Sequence, residues 1–547
     1  MSPTMIRRAR RAVRQLVASA PPSLLVRASA VRHGELRGPS GPAGAAPGPG
    51  ESLSGVRALD DHLHVVLDAL AAGAVPAAVL EAGTMRRRVV VVTGDHAPAA
   101  RRALAATTAT TATGGGLLVA AVAADGSLGA AHPIASLAQT RSTREARVLR
   151  VHSGQQRLGC DVEFWALSDD RQPRPDGSHY PAGTALAPRP NRWTRSLEPD
   201  QRRPVTGEVA GRPVPTYPGL LRPHLLDVRF PIDVVYTWVD GSDPAWRQRK
   251  DDAWAASHHG EHHPSASAGS RFDSHDELRY SLRSLEANAD WVRQVFVVTD
   301  EQTPSWLRTD HPRLRVVSHR ELFGGTGTLP TFNSHAIESR LHHIDGLAEH
   351  FLYLNDDVFF GRPVTPEVFY EGNGLARFFL TDATIDLGEP GARDLPVASA
   401  AKQTRAAVAE LYGASVTQRF QHVAHPQRRS VLADVEELLP DQVRRTGSAQ
   451  FRSPHDLSVP ASLAHYVGYA TGRAVPGTLS YAYCDVTERR APIKLQRIAR
   501  DRATDVFCLN ETDAPGEHAG HRLMADFLAA YFPRPSSFER PAQADAR

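Results

Sequence analysis

Residues 232–244 read IDVVYTWVDGSDP, and this stretch decides the fold. Residues 232–239 are an apolar, β-favouring run of the kind a sheet buries on both faces. Asp240, Gly241, Ser242, Asp243 and Pro244 then demand a tight turn. The pattern recurs downstream. Residues 295–299 (VFVVT) end in Asp300, residues 314–318 (LRVVS) form a further strand, and residues 351–354 (FLYL) end in Asn355, Asp356 and Asp357. Between these runs, 274–288 has helical spacing at Leu278, Ser281, Leu282 and Leu285. Residues 334–344 read as a second helix with Ser334 as its N-cap.

Strands alternating with helices predict an α/β fold, Rossmann-like, with a mostly parallel sheet covered on both faces. Ligands of such sheets sit beyond the carboxyl ends of the strands. Three strands here finish in carboxylates, at Asp240/Asp243, Asp300 and Asp356/Asp357. Such a convergence suits a divalent cation holding the phosphates of a nucleotide, although Asp is also ordinary turn chemistry after a strand. Neither G-x-x-x-x-G-K-[ST] nor G-x-G-x-x-G follows a strand, which excludes a P-loop kinase and a dinucleotide oxidoreductase of the usual kind. Phosphate charge must then be met by a metal, Arg or His.

Two segments supply Arg and His. Residues 421–430 (QHVAHPQRRS) contain His422, His425, Arg428 and Arg429, and residues 451–456 (FRSPHD) contain Arg452, His455 and Asp456. A His beside an Arg at a carboxylate edge is the minimum for phosphoryl transfer, one handling the proton and the other the oxygens. The HHGEHH run at 258–263 lies in a Gly/Ser/Ala/His-rich stretch and reads as a solvated loop. Cys484 and Cys508 read as small buried residues.

Four blocks of this region resemble, in order, the conserved blocks of the Stealth proteins: 232–244; 271–307 continuing through LPTFNSHAIESRLHHIDGLAEHFLYLNDDVFFG (329–361); 422–472; and VFCLNETD (506–513) with FPRPSSFERP (532–541). The resemblance covers about 232–541. It implies a nucleotide-sugar-transferase type of fold and transfer of a sugar-1-phosphate from a nucleotide sugar to a glycan hydroxyl, as in capsule or other surface polysaccharide synthesis. A nucleoside monophosphate would leave, and magnesium or manganese would assist. It further implies a metal on Asp356 and Asp357, catalytic roles for Asp357, His425 and Arg452, and substrate contacts from Asp240, Gly241, Asp243, Arg279, Asn333, Ser334 and Asn355. Which of His425 and Asp357 is the general base stays open. Asp240 and Glu511 stand where the family more often has Asn and Asp. A conventional metal-dependent glycosyltransferase, attacking sugar carbon instead of phosphorus, also fits an Asp pair after a strand. A catalytically inactive carbohydrate-binding protein is the reading from another class.

The remainder bounds these expectations. At 547 residues the chain is too long for one core. The sequence divides into a basic leader and linker (1–55), an accessory α/β domain with a Pro-rich connection (56–225) and the Stealth-like domain (226–541). Strands are expected at 88–93, 117–124, 145–152 and 160–167, and residues 168–225 read as a long connection. A net charge of +3 excludes a strongly basic nucleic-acid binder, and three cysteines are too few for a disulfide framework. The charge is uneven: residues 1–50 hold eight Arg and one Glu. Residues 5–17 have the pattern of a basic amphipathic helix that suits an anionic membrane surface. The longest apolar run, 117–124, is far short of the roughly 20 residues of a span, and no secretory signal is evident. A cytoplasmic enzyme, peripheral at the inner membrane face, is the expectation.

Overall fold

The computed structural model describes residues 55–80, 87–108, 116–153, 159–169, 172–257, 272, 274–391, 393–511 and 517–541, so the expected helix at 5–17 and the 258–263 histidines lie outside the described residues. The described chain forms two compact units, one ending at Asp227 and one beginning at Val228.

The first unit is built on a mixed sheet. Val89–Thr93 runs parallel to Cys160–Leu167, which pairs antiparallel with Val148–His152, and that strand pairs antiparallel with Leu118–Ala121. Helices Gly55–Ala72 and Ala97–Ala105 contribute Leu63, Val66, Leu70 and Leu104 to a core with Val90, Val92, Leu149 and Val162. Asp161 and Glu163 are buried but neutralised: Arg150 and Arg189 bind Asp161 at 2.6 and 2.7 Å, and Arg189 reaches Glu163 at 2.7 Å. Residues 168–225 are more than a connection. They carry the hairpin Val205–Val209/Arg212–Thr216, whose Val209 and Val214 join the core, and Thr216 Oγ1 donates to Val79 O. Strands this short, broken by Pro and Gly, leave no periodic signal in the sequence.

The second unit holds a five-stranded sheet. Numbering the elements that build the site, these are β1 (Ile232–Thr237), α1 (Pro244–Ala256), α2 (Glu277–Asn288), β2 (Val295–Thr299), β3 (Leu314–Ser318), α3 (Ser334–Glu338), β4 (His350–Asn355), β5 (Val358–Phe360), β6 (His425–Arg428), β7 (Tyr481–Asp485) and β8 (Val506–Asn510). The sheet order is β3-β2-β1-β4-β6; the first four are parallel and β6 is antiparallel at the edge. Side chains alternate between two cores. Val234, Tyr236, Val295, Val297, Leu352 and Leu354 meet Leu278, Leu282 and Leu285 of α2. Val235, Phe296, Val298, Phe351 and Tyr353 face the other way, against Ala336, Leu432 and Val467. Both faces are therefore covered, as the apolar runs required. β5, β8 and β7 form a separate three-stranded sheet.

The expected helix at 334–344 is shorter. α3 stops at Glu338, and Leu341–His343 forms a 3-10 turn in which Arg340, His342 and His343 all turn to Glu436. Its N-cap is Asn333, whose Oδ1 accepts from His335 N at 3.1 Å, and not Ser334, whose hydroxyl is engaged elsewhere.

Candidate active site

β4 leaves the sheet at Asn355, and the chain turns through Asp356 and Asp357 into β5, which pairs with β8 at Val358 and Cys508. That register, with Leu509 N donating to Asp357 O at 3.1 Å, fixes what surrounds Asp357. The Cys508 thiol donates to Asp357 Oδ2 at 3.3 Å, and His422 Nε2 lies 3.2 Å from Oδ1. One ligand atom each from Asp357, His422 and Cys508 falls within a 4.8 Å cluster.

Asp356 faces Glu277, in the first turn of α2, and Tyr236. Burial drives the Asp356 carboxyl well above the usual carboxylate range, and the charges of Glu277 and Asp357 add to it. Glu277 is pushed up to about 7 by burial, with Asp357 and Glu511 contributing. Glu511 leads to a second group: its Oε1 lies 2.6 Å from His521 Nε2, its Oε2 lies 3.7 Å from His275 Nε2, and the two ring centroids are 3.8 Å apart with the planes tilted by 35°. Four carboxylates thus crowd the end of β4 while repelling one another. A hard divalent cation would relieve that repulsion, and an oxygen-rich donor set matches its preference.

β6 brings the third block back to this edge. It runs antiparallel to β4 and sets His425 opposite Tyr353, with His422 as the neighbour that reaches Asp357. The proton positions there follow from one amide. Gln427 Nε2 donates to Pro460 O at 2.6 Å, so it is the amide nitrogen that lies 3.4 Å from His465 Nε2. His465 Nε2 is therefore an acceptor, and His425 Nδ1, 3.2 Å from the same atom, must carry the hydrogen. His425 Nε2 is left with its lone pair, and among the described residues it has no hydrogen-bond partner. Burial, then the neighbouring His465 and His422, hold His425 well below the ordinary histidine range. His422 goes the other way. Burial works to lower it, but the charge and hydrogen bond of Asp357 prevail and raise it.

Arg452 Nη2 donates to Ser334 Oγ at 2.8 Å and faces Glu338, Asp456 and Tyr353. Asn333 places that loop: fully buried, it gives Nδ2 to Ala449 O, Phe451 O and Asp456 Oδ2. Its atoms are committed to holding the Arg452 segment against α3.

The remaining expected residues are placed as follows. Asn355 ends β4 opposite Thr237 of β1. Asp243 caps α1 through Ala245 N at 2.9 Å, and its Oδ2 accepts from Gln302 Nε2 at 3.0 Å. Asp240 accepts from Ser242 N, and Gly241 N donates to Phe272 O at 2.7 Å. A Cβ on Gly241 would lie 2.7 Å from that oxygen, so only glycine fits. Arg279 pairs with Glu539 at 2.6 Å, joined there by Arg283. Asp300, the third strand-end carboxylate, is bound by Arg249 at 2.8 Å. The structure therefore places Asp356 and Asp357 at the end of β4 with His422, sets His425 and the Arg452–Ser334 pair beside His422, and gives Asp240, Gly241, Asp243, Arg279 and Asn333 structural partners. Residues outside the expected set stand in the same place: Glu277, His422, Glu511 and Cys508. His422 and Glu277 sat inside motifs already singled out. Cys508 gave no signal beyond hydrophobicity.

Models of Stealth protein conserved regions 1, 2, 3 and 4 match residues 230–254, 271–378, 421–469 and 496–547. An exopolysaccharide phosphotransferase of Streptomyces coelicolor is 45% identical over 398 residues, covering 70% of this chain and 65% of the relative. A second from the same organism is 44% identical over 420 residues, covering 71% and 67%. The chain thus spans about two thirds of the length of these relatives. A crystal structure of the galactosyltransferase LgtC with donor and acceptor sugar analogues is similar over 55% of this chain and 95% of that one, at 12% identity and a TM-score of 0.29.

Proposed function

Given that the chain belongs to the Stealth family, we propose that it transfers a sugar-1-phosphate from a nucleotide sugar to a glycan hydroxyl in exopolysaccharide or capsule synthesis. The observation that carries this is the contact of His422 with Asp357 just beyond β4, with His425, whose Nε2 is unprotonated, and Arg452 both bordering His422. The names of the relatives support the same chemistry.

In this reading the acceptor oxygen forms a bond to the sugar-side phosphorus, the phosphorus–oxygen bond to the nucleoside monophosphate breaks, and the hydroxyl proton passes to His425 Nε2. Nδ1–H, donating to His465, fixes the ring so that the basic nitrogen is presented. Arg452 and the protonated His422 face the oxygens where negative charge grows. Asp356 and Asp357, with Glu277 or Glu511 beside them, would hold a magnesium or manganese ion, which when bound neutralises phosphate charge. Asn355 lines this edge. Ser334 holds Arg452, while Asn333 and the 240–243 turn keep the surrounding backbone in place.

Among the described residues no helix is long and apolar enough to cross a membrane. The proposed setting is the inner membrane face, reached through the basic segment 5–17, and co-sedimentation with anionic vesicles, with and without that segment, tests it.

Incubation with UDP-, GDP- and CDP-sugars, magnesium and a mixture of oligosaccharides tests the chemistry. Release of nucleoside monophosphate is expected. Release of diphosphate instead would mean attack on sugar carbon and would overturn the reading.

A further inference from the structure

The three-stranded sheet has two unlike faces. Ala482, Cys484, Phe507 and Leu509 turn into a core with Phe359. On the opposite face, alternation places Tyr481, Tyr483 and Cys508 together. The register sets Tyr483 beside Cys508, and Cys508 Sγ is 3.3 Å from Asp357 Oδ2. β7 is the outer strand, so the two phenol rings stand about 7 Å apart along the flank of the carboxylate centre. The Tyr481 hydroxyl is turned toward the backbone of His422 and that of Tyr483 toward the side chain of Asn510, and Tyr481 packs half-buried on the larger core. Yet Tyr483 is 43% exposed, although its neighbour Cys508 is wholly buried.

A phenol ring carried on a paired strand and open on its face is a platform for the apolar C–H face of a sugar ring: it contributes contact area with little loss of side-chain freedom. The arrangement of charge says which sugar. Arg452 faces Glu338, Asp456 and Tyr353, whereas the tyrosines face Asp357 and Cys508; His422 stands between the two sets. Displacement at phosphorus sets attacking and leaving oxygens roughly in line, on opposite sides. With the departing monophosphate on the cationic Arg452 side, the attacking hydroxyl comes from the tyrosine side. We infer that Tyr481 and Tyr483 form an aromatic wall that seats the terminal sugar ring of the acceptor glycan, selecting it by its apolar face and not by charge. The inference rests on the phosphotransfer reading and adds the acceptor's place to it.

The test uses the full chain on an array of immobilised hexose, N-acetylhexosamine and uronic-acid oligosaccharides. The wild type should bind at least one of them. Tyr483→Ala and Tyr481→Ala should weaken that binding about tenfold or more, and Tyr483→Trp should retain it. Tyr469→Ala, which removes a still more exposed aromatic elsewhere in the unit, serves as the control and should bind as the wild type does. In turnover, the alanine variants should raise KM for the bound oligosaccharide at least fivefold more than KM for the nucleotide sugar. No binding by the wild type, equal losses in Tyr469→Ala and Tyr483→Ala, or a KM effect confined to the donor would overturn the inference. Absence of monophosphate release by the wild type would instead count against the phosphotransfer reading and leaves the array result to decide the wall.

Discussion

His425 Nδ1 and His465 Nε2 lie 3.2 Å apart inside the protein, and Gln427 makes His465 the acceptor of that contact. Two buried neutral imidazoles thus share one hydrogen, and the nitrogen of His425 that remains bare is the one the proposed mechanism uses as base.

His425→Ala should lower kcat by a factor on the order of 10²–10⁴, the usual contribution of a general base, while leaving the thermal transition near that of the wild type. A variant with near-normal turnover would remove His425 from the mechanism.

His465→Phe keeps bulk but removes the acceptor, so the His425 tautomer is no longer fixed. The pH profile of kcat/KM reads this directly. In the wild type, His425 is held below the ordinary histidine range, so the acid limb should fall at lower pH than an ordinary histidine would give. The variant's acid limb should move, an effect that a merely packing role would not produce.

Arg452→Lys should be nearly as damaging as Arg452→Ala. The guanidinium spends one arm on Ser334 Oγ at 2.8 Å while presenting others, and an ammonium cannot reproduce that fork. Rescue by lysine to more than about a tenth of wild-type kcat would show that charge alone suffices.

Glu277 carries a pH signature in stability. Its carboxyl is raised to about 7 in the folded chain against 4.5 ordinarily, so the native state holds the proton more tightly than the unfolded state. Its stabilising effect is full below about pH 4.5 and is lost as pH rises through 7. Glu277→Gln, which never ionises, should therefore gain in Tm relative to wild type between pH 5 and pH 8, by roughly 2–4 °C for each kcal/mol relieved. A difference that does not change with pH contradicts the assignment. Manganese should raise the wild-type Tm at pH 8, and Asp356→Asn should blunt that rise.

Gly241→Ala forces a Cβ to within 2.7 Å of Phe272 O. Overpacking against backbone should cost about 1–3 kcal/mol, visible as a lower Tm before any effect on turnover.

Strands β1, β2 and β4 could be read from the sequence because each is a dense apolar run followed by Asp or Asn, whereas β6, reading HPQR, carries no such signal. What could not be read is which carboxylates remain available. Asp300 and Asp243 have the same local signature as Asp357, but Arg249 binds the first and a helix N-terminus occupies the second. Those partners are settled by the fold, not by spacing. Glu277 looked like an ordinary first-turn acid, and only the path of β4 brings it to Asp356. Cys508 illustrates the limit most clearly: a small apolar residue in a buried strand, it reaches the Asp357 carboxylate because β8 pairs with β5 in one register and no other. His422 stood in the same motif as His425, three residues away, but only the fold shows that its ring is the one that meets Asp357.

The rung joining Tyr353 to His425 has an evolutionary consequence. The Asp pair and His425 are separated by more than sixty residues of chain but lie on or just beyond adjacent strands, so their spacing is kept by main-chain hydrogen bonds that any side chains can make. The excursion between them is anchored at Ala407 and Val408, which enter the core, and at Phe420, whose ring lies 4.8 Å from that of His465, while Leu387, Leu395 and Val397 stand exposed. Diversification of polymer structure among relatives should therefore be written on those exposed positions while the anchors and the ladder beneath them stay the same.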